Sequence, residues 1–123
     1  MSKFKSQGFS KTFKNARKGL RLVIKSEVNI RIHLIIALFV LISAYFLNFS
    51  AIEYCIALIA IGMVVIPEML NTAIEFALDS IYHNRYSAMV GMAKDISAGA
   101  VMFGSFISLF IGTILFGKHL IQF

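Results

Sequence analysis

Acidic residues are scarce in this chain: six Asp and Glu stand against twelve Lys and Arg in 123 residues. Charged residues of both signs make up only 15%, while 59% are hydrophobic. Soluble domains carry about a quarter charged residues, so this composition points instead to one compact membrane domain over residues 1–123. Cysteine occurs once, as Cys55 in an apolar run. That excludes an internal disulfide and leaves packing as its expected role. His33, His83 and His119 show no metal-ligand spacing and read as interfacial or loop residues. A cleavable leader is not expected, because the first apolar run begins only after thirty-three mostly polar or basic residues.

What is present is three apolar stretches. The first covers about 33–52, the second about 54–79 and the third about 96–116, the last without a charge. A span needs about 20 residues, and open strands would leave backbone groups unpaired in lipid. The expected fold is therefore an all-α membrane protein with three transmembrane helices. An N-terminal amphipathic helix over about 9–32 precedes them. Phe9, Phe13, Ala16, Leu20, Val23 and Ile24 share one face of it, and Lys11, Lys14, Lys18, Arg21 and Lys25 the other. Such a helix lies at the interface against membrane lipids.

Nine of the twelve Lys and Arg precede the first span, including Lys3, Lys5 and Arg31. The 48–53 link has none, and the link before the third span holds Arg85 and Lys94. The positive-inside rule then predicts a multi-pass protein of the bacterial inner (cytoplasmic) membrane with a cytoplasmic N-terminus.

Glu68 and Glu75 stand out because they continue the second apolar run without a turn signal. A carboxylate near hydrocarbon costs at least ~2.5–3.5 kcal/mol and usually serves function. Glu68, Asn71, Thr72, Glu75 and Asp79 fall within roughly one 60° stripe of a helix. An acidic stripe on so apolar a helix suits a positive ligand such as a metal ion. Pro67, the one proline, immediately precedes Glu68. It leaves the Met63 carbonyl without its usual donor and predicts a kink that aims Glu68. Glu27 falls on the apolar face of the predicted N-terminal helix. Two readings stand for it: an ion pair with Arg31 four residues on, or a shared cation with Glu68 and Glu75.

Two other patterns need sorting. Gly112 to His119 nearly spells a phosphate loop, but the closing hydroxyl residue is His and no strand precedes it, so the match is rejected. Ala100, Gly104, Ser108 and Gly112 recur every four residues. Small residues so spaced predict close helix packing in lipid, within or between subunits.

Glu27, Glu68, Asn71, Glu75, Asp79, Lys94 and Asp95 thus gather at one membrane boundary. A hard cation such as Mg²⁺ takes one or two carboxylates plus substrate phosphates, and a lysine suits a phosphate. A remaining carboxylate can serve a hydroxyl as general base. These are the parts of a phosphoryl-transfer site.

The run Glu68-Met-Leu-Asn71-Thr-Ala-Ile-Glu75 followed by Asp79 resembles the signature of the small prokaryotic diacylglycerol and undecaprenol kinases. Ala93-Lys94-Asp95, followed by Ser97 to Val101, and Glu27 to Leu34 resemble two further blocks of that family. The resemblance covers nearly the whole chain from about residue 15. It implies a three-span, homotrimeric lipid kinase whose sites are built between subunits. It implies Glu68 as catalytic base, Glu27 and Glu75 as holders of Mg²⁺ on ATP, and Asn71 and Lys94 on the phosphates. Asp79 and Asp95 match nucleotide-side positions, and Arg31 supports Glu27. The partners expected are ATP, a lipid alcohol and membrane lipids, with no nucleic acid. Pro67 and the 82–89 loop depart from the family pattern. The Arg31-Ile-His-Leu34 stretch looks closer to the undecaprenol kinase branch. The alternatives are a protein conducting cations or protons along the carboxylates and a small structural subunit. The first is weakened because the acids of the stripe stop near the cytoplasmic side and none lies within the third span, and the second because it leaves Glu27 unexplained.

Overall fold

The computed structural model describes residues 8–83 and 87–122. Lys3, Lys5 and Arg85 of the charge asymmetry, and Asn84 and Tyr86 of the connecting loop, lie outside the described residues. Four helices follow one another: α1 Phe9–Ser26, α2 Val28–Phe46, α3 Ala51–Tyr82 and α4 Ala88–Ile121. Among the described residues there is no strand. Helices α2, α3 and α4 are long and apolar enough to cross a membrane, with mean hydropathies of 2.0, 1.9 and 2.0. At 1.5 Å per residue, α2 is about 28 Å long, close to the ~30 Å hydrocarbon thickness, whereas α3 and α4 reach about 50 Å. The two longer helices must therefore project beyond the hydrocarbon.

The amphipathic segment is not one helix to residue 32. It breaks at Glu27, whose backbone is extended (φ −115°, ψ 113°). The cause is local capping. Arg31 Nη1 donates to the carbonyls of Ile24 and Lys25, each at 2.8 Å. Those carbonyls end α1 and would otherwise lack partners. Ile30, 1% exposed, pins the elbow from the α2 side, and Val23 is buried on the α1 side.

The turn from α2 to α3 is set by sequence chemistry. Asn48 adopts a left-handed conformation (φ 58°), which Asn tolerates better than most residues. Its N–H donates to Tyr45 O, and that of Phe49 to Ala44 O at 3.0 Å, the paired bonds of a Schellman ending. Ser50 then opens α3 with a reciprocal box: Glu53 N donates to Ser50 Oγ, and Ser50 N donates to Glu53 Oε1 at 2.9 Å. Phe49 packs with Ala44, Ala57 and Leu115 in a small buried core at this end.

Helix α3 packs most extensively on α4, also on α2. The closest approach involves Gly104. A Cβ there would collide with the Met63 carbonyl oxygen and touch Pro67 Cγ. So the carbonyl that Pro67 leaves free faces the bare backbone of α4. The small-residue pattern divides: Gly104 is buried against α3, while Gly112 has open space where a side chain would go. Cys55 is exposed on the helix surface rather than packed within the subunit.

Candidate active site

The acidic stripe lies where α3 leaves the hydrocarbon. About 20 residues of membrane depth counted from Ala51 bring α3 to the boundary near position 71. Glu68 sits just inside that level, and Glu75 and Asp79 beyond it. Glu68 is 7% exposed. Among the described residues its carboxylate has no ion pair or hydrogen bond. Thr72, also buried, donates through Oγ1 to the Glu68 backbone carbonyl at 3.1 Å. That bond occupies the hydroxyl and leaves the Glu68 side chain uncommitted.

One turn on, Asn71 Nδ2 donates to Glu75 Oε1 at 3.4 Å. The amide oxygen of Asn71 is buried with no hydrogen-bond partner. A buried oxygen acceptor left alone is costly. It is an oxygen of the kind a hard cation accepts, on the amide whose nitrogen faces Glu75. Further out, Lys94 of α4 donates to Asp79 Oδ1 of α3 at 2.7 Å. Both side chains are over a third exposed, so the pair adds little stability. An ammonium has three donors, so Lys94 retains capacity for another acceptor. Asp95, next to it, is exposed.

Helix α3 therefore presents Glu68, Asn71, Glu75 and Asp79 along one stripe, and α4 adds Lys94 beside its outer end. Glu27 stands apart, half-buried in the α1–α2 elbow. Of its two readings, the ion pair with Arg31 is not formed, because the guanidinium caps α1 instead. Among the described residues, no three His, Cys, Asp or Glu side chains converge to hold a metal.

The opposite end of the bundle carries a polar cluster that spacing alone did not reveal. His119 Nε2 lies 2.6 Å from Glu53 Oε2, and Lys118 Nζ donates to the same oxygen at 3.4 Å. The Phe49 ring stacks on His119 with centroids 4.7 Å apart. So His119 is neither a loop residue nor part of a phosphate loop; Gly112 to His119 lies wholly within α4. The Ser50-to-Glu53 spacing was the available signal for half of this cluster. The other half joins residues 66 positions apart.

Comparison with known proteins agrees with the central motif. The family model described as prokaryotic diacylglycerol kinase matches residues 14–116. An undecaprenol kinase of Bacillus subtilis (strain 168) is 36% identical over 108 residues, covering 88% of this chain and 87% of that protein. A diacylglycerol kinase of Escherichia coli (strain K12) is 30% identical over 115 residues, covering 91% and 93%. One from Synechocystis sp. is 30% identical over 101 residues, covering 82% of this chain and 58% of that protein. The match spans the acidic stripe of α3, the elbow and the Lys94 turn of α4, and it makes this chain a multi-pass member of the prokaryotic diacylglycerol kinase family, the membrane lipid kinases of bacteria.

Proposed function

We propose that the chain transfers the γ-phosphoryl group of ATP directly to the hydroxyl of a membrane lipid alcohol, undecaprenol or diacylglycerol, acting as one kinase domain over residues 1–123. Glu68 carries this reading: a buried carboxylate, free of any cation, at the depth where a lipid hydroxyl meets the headgroup region. Within hydrogen-bond reach of that hydroxyl, it takes the proton as the oxygen attacks phosphorus. Lys94 and the amide of Asn71 position the phosphates, and Asp79 and Asp95 face the nucleotide. Glu75 and Glu27 are the carboxylates we assign to Mg²⁺. The unpartnered Asn71 oxygen is compatible with an oxygen-ligated cation at this level of α3. When bound, the ion neutralises phosphate charge.

The charge asymmetry supports a cytoplasmic N-terminus and a site open to cytosolic ATP. The greater identity to the undecaprenol kinase favours a polyprenol as substrate. Conduction along the carboxylates finds little support, since no acid lies between Glu53 and Glu68 in α3 or beyond Asp95 in α4.

Purified protein in micelles, given γ-labelled ATP and each lipid in parallel, should label undecaprenol more than diacylglycerol. In Glu68→Gln, kcat should fall about 10²–10⁴-fold, the usual worth of a general base, while the KM for ATP stays near that of the parent. Turnover undiminished in Glu68→Gln would remove Glu68 from its assigned role.

A further inference from the structure

A cavity of about 380 Å³ lies between α2, α3 and α4. Its α3 wall includes Ala57, Ala60, Ile61, Val64 and Val65. These positions keep the three-and-four spacing of one helix face. Glu68 is the next residue on that face, three beyond Val65 and seven beyond Ile61. The cavity therefore ends one turn from the carboxylate. Its described lining holds no Asp, Glu, Lys or Arg. Such a wall complements an uncharged hydrocarbon and disfavours a nucleotide, whose charges would lose water without gaining partners.

The cavity runs roughly 12 Å along α3, from Ala57 to Val65, so an extended hydrocarbon chain lies along it with its end towards Glu68.

His33 is the one imidazole in the wall. Among the described residues it makes no hydrogen bond or ion pair. It lies thirteen residues before the end of α2, and Val64 thirteen after the start of α3. The short connection makes these helices antiparallel neighbours, so His33 and Val64 share one depth, beside the Glu68 end. We infer that this cavity receives the hydrocarbon chain of the lipid alcohol, and that His33 is a positioning residue that hydrogen-bonds its hydroxyl end next to Glu68. The inference rests on the lipid-kinase reading and adds where the tail lies and what orients it.

Gly112 gives the test. It lines the cavity, and a Cβ there meets nothing within 4 Å. Gly112→Leu therefore fills the space without moving backbone. The KM for a long-chain alcohol should rise about tenfold, the loss of roughly two buried methylenes, with the KM for ATP and the assembly state in detergent unchanged. For His33, the order of two variants is diagnostic. His33→Gln, which keeps a hydrogen-bonding group, should retain more turnover than His33→Phe, whereas a purely structural apolar wall would favour Phe. A long-chain alcohol bearing a diazirine should label residues 57–65 and 108–116 on illumination, read by mass spectrometry of peptides.

Unchanged lipid KM in Gly112→Leu, the reverse order at His33, or adducts only outside those segments would each overturn the proposal. A changed assembly state in Gly112→Leu would assign the cavity to a second copy and overturn it as well. Labelling of the cavity by a wild-type protein that never transfers phosphate would uphold the tail's location and sink the kinase reading instead.

Discussion

Gly104 and Gly112 have the same side chain, sit on the same helix and belong to the same four-residue pattern, yet their surroundings are opposite. At Gly104 the backbone of α4 lies against the Met63 carbonyl and Pro67, one residue from Glu68. An added methyl there meets backbone, which has no rotamer to escape into. The helix propensity gained by replacing Gly with Ala, up to ~1 kcal/mol, is outweighed by a steric penalty of about 1–3 kcal/mol. Gly104→Ala should therefore lower the thermal midpoint in detergent by several degrees. It should also reduce kcat, because the helices separate at the level of the carboxylate. Gly112→Ala meets open space and should leave stability unchanged or slightly raised. Equal midpoints for the two variants would show that the Met63 contact does not fix α4. The same logic separates chemistry from packing at Lys94. Its half-exposed pair with Asp79 is worth about 0–1 kcal/mol, so any large loss on removing it belongs to the site rather than to the fold.

The helices themselves were unevenly legible in the sequence. Hydropathy located the three spans because lipid demands long apolar runs, but it carried the first to residue 52, through the 47–50 turn and into α3, because Leu47, Phe49 and Ile52 keep that stretch apolar; the stripe from Glu68 to Asp79 followed from helical spacing alone. Hydropathy could not find the first two turns of α4. That segment contains Lys94 and Asp95, and it begins at Ala88 because Ser87 Oγ accepts from Val90 N. The elbow at Glu27 was hidden for a different reason. Apolar periodicity continues on both sides, and the break is made by a guanidinium reaching back six and seven residues. The Glu53–His119 contact was invisible because tertiary packing alone brings those residues together. Arg31 thus carries an element-scale prediction. Arg31→Ala should loosen the last turn of α1, speeding amide exchange over residues 22–26 roughly five- to tenfold, the loss of about 1 kcal/mol of hydrogen bonding. Exchange in α3 and α4 should not change. Uniform acceleration through all four helices would mean that Arg31 supports the whole bundle and not the elbow.

At the scale of the molecule, most apolar surface finds no partner within the chain. In the most hydrophobic windows of α2, α3 and α4, only 17%, 22% and 11% of residues are buried. Lipid can cover that surface, and so can further copies. The position of Glu27 bears on which. It precedes the end of α2 by nineteen residues, which by antiparallel counting sets it at the depth of Leu70 on α3, level with Glu68 and Asn71. Yet among the described residues it joins no metal-holding cluster with them. Right depth without convergence is the arrangement expected when a neighbouring subunit completes the site, as a head-to-tail ring permits. Mixing two inactive variants tests this directly. Glu68→Gln and Glu27→Gln, co-assembled in equal amounts, should regain activity at about a quarter of the sites if subunits close into such a ring, each active site pairing an intact Glu68 with an intact Glu27 of its neighbour. If each site were completed within one chain, every subunit would lack one of its two acids and mixing would restore nothing.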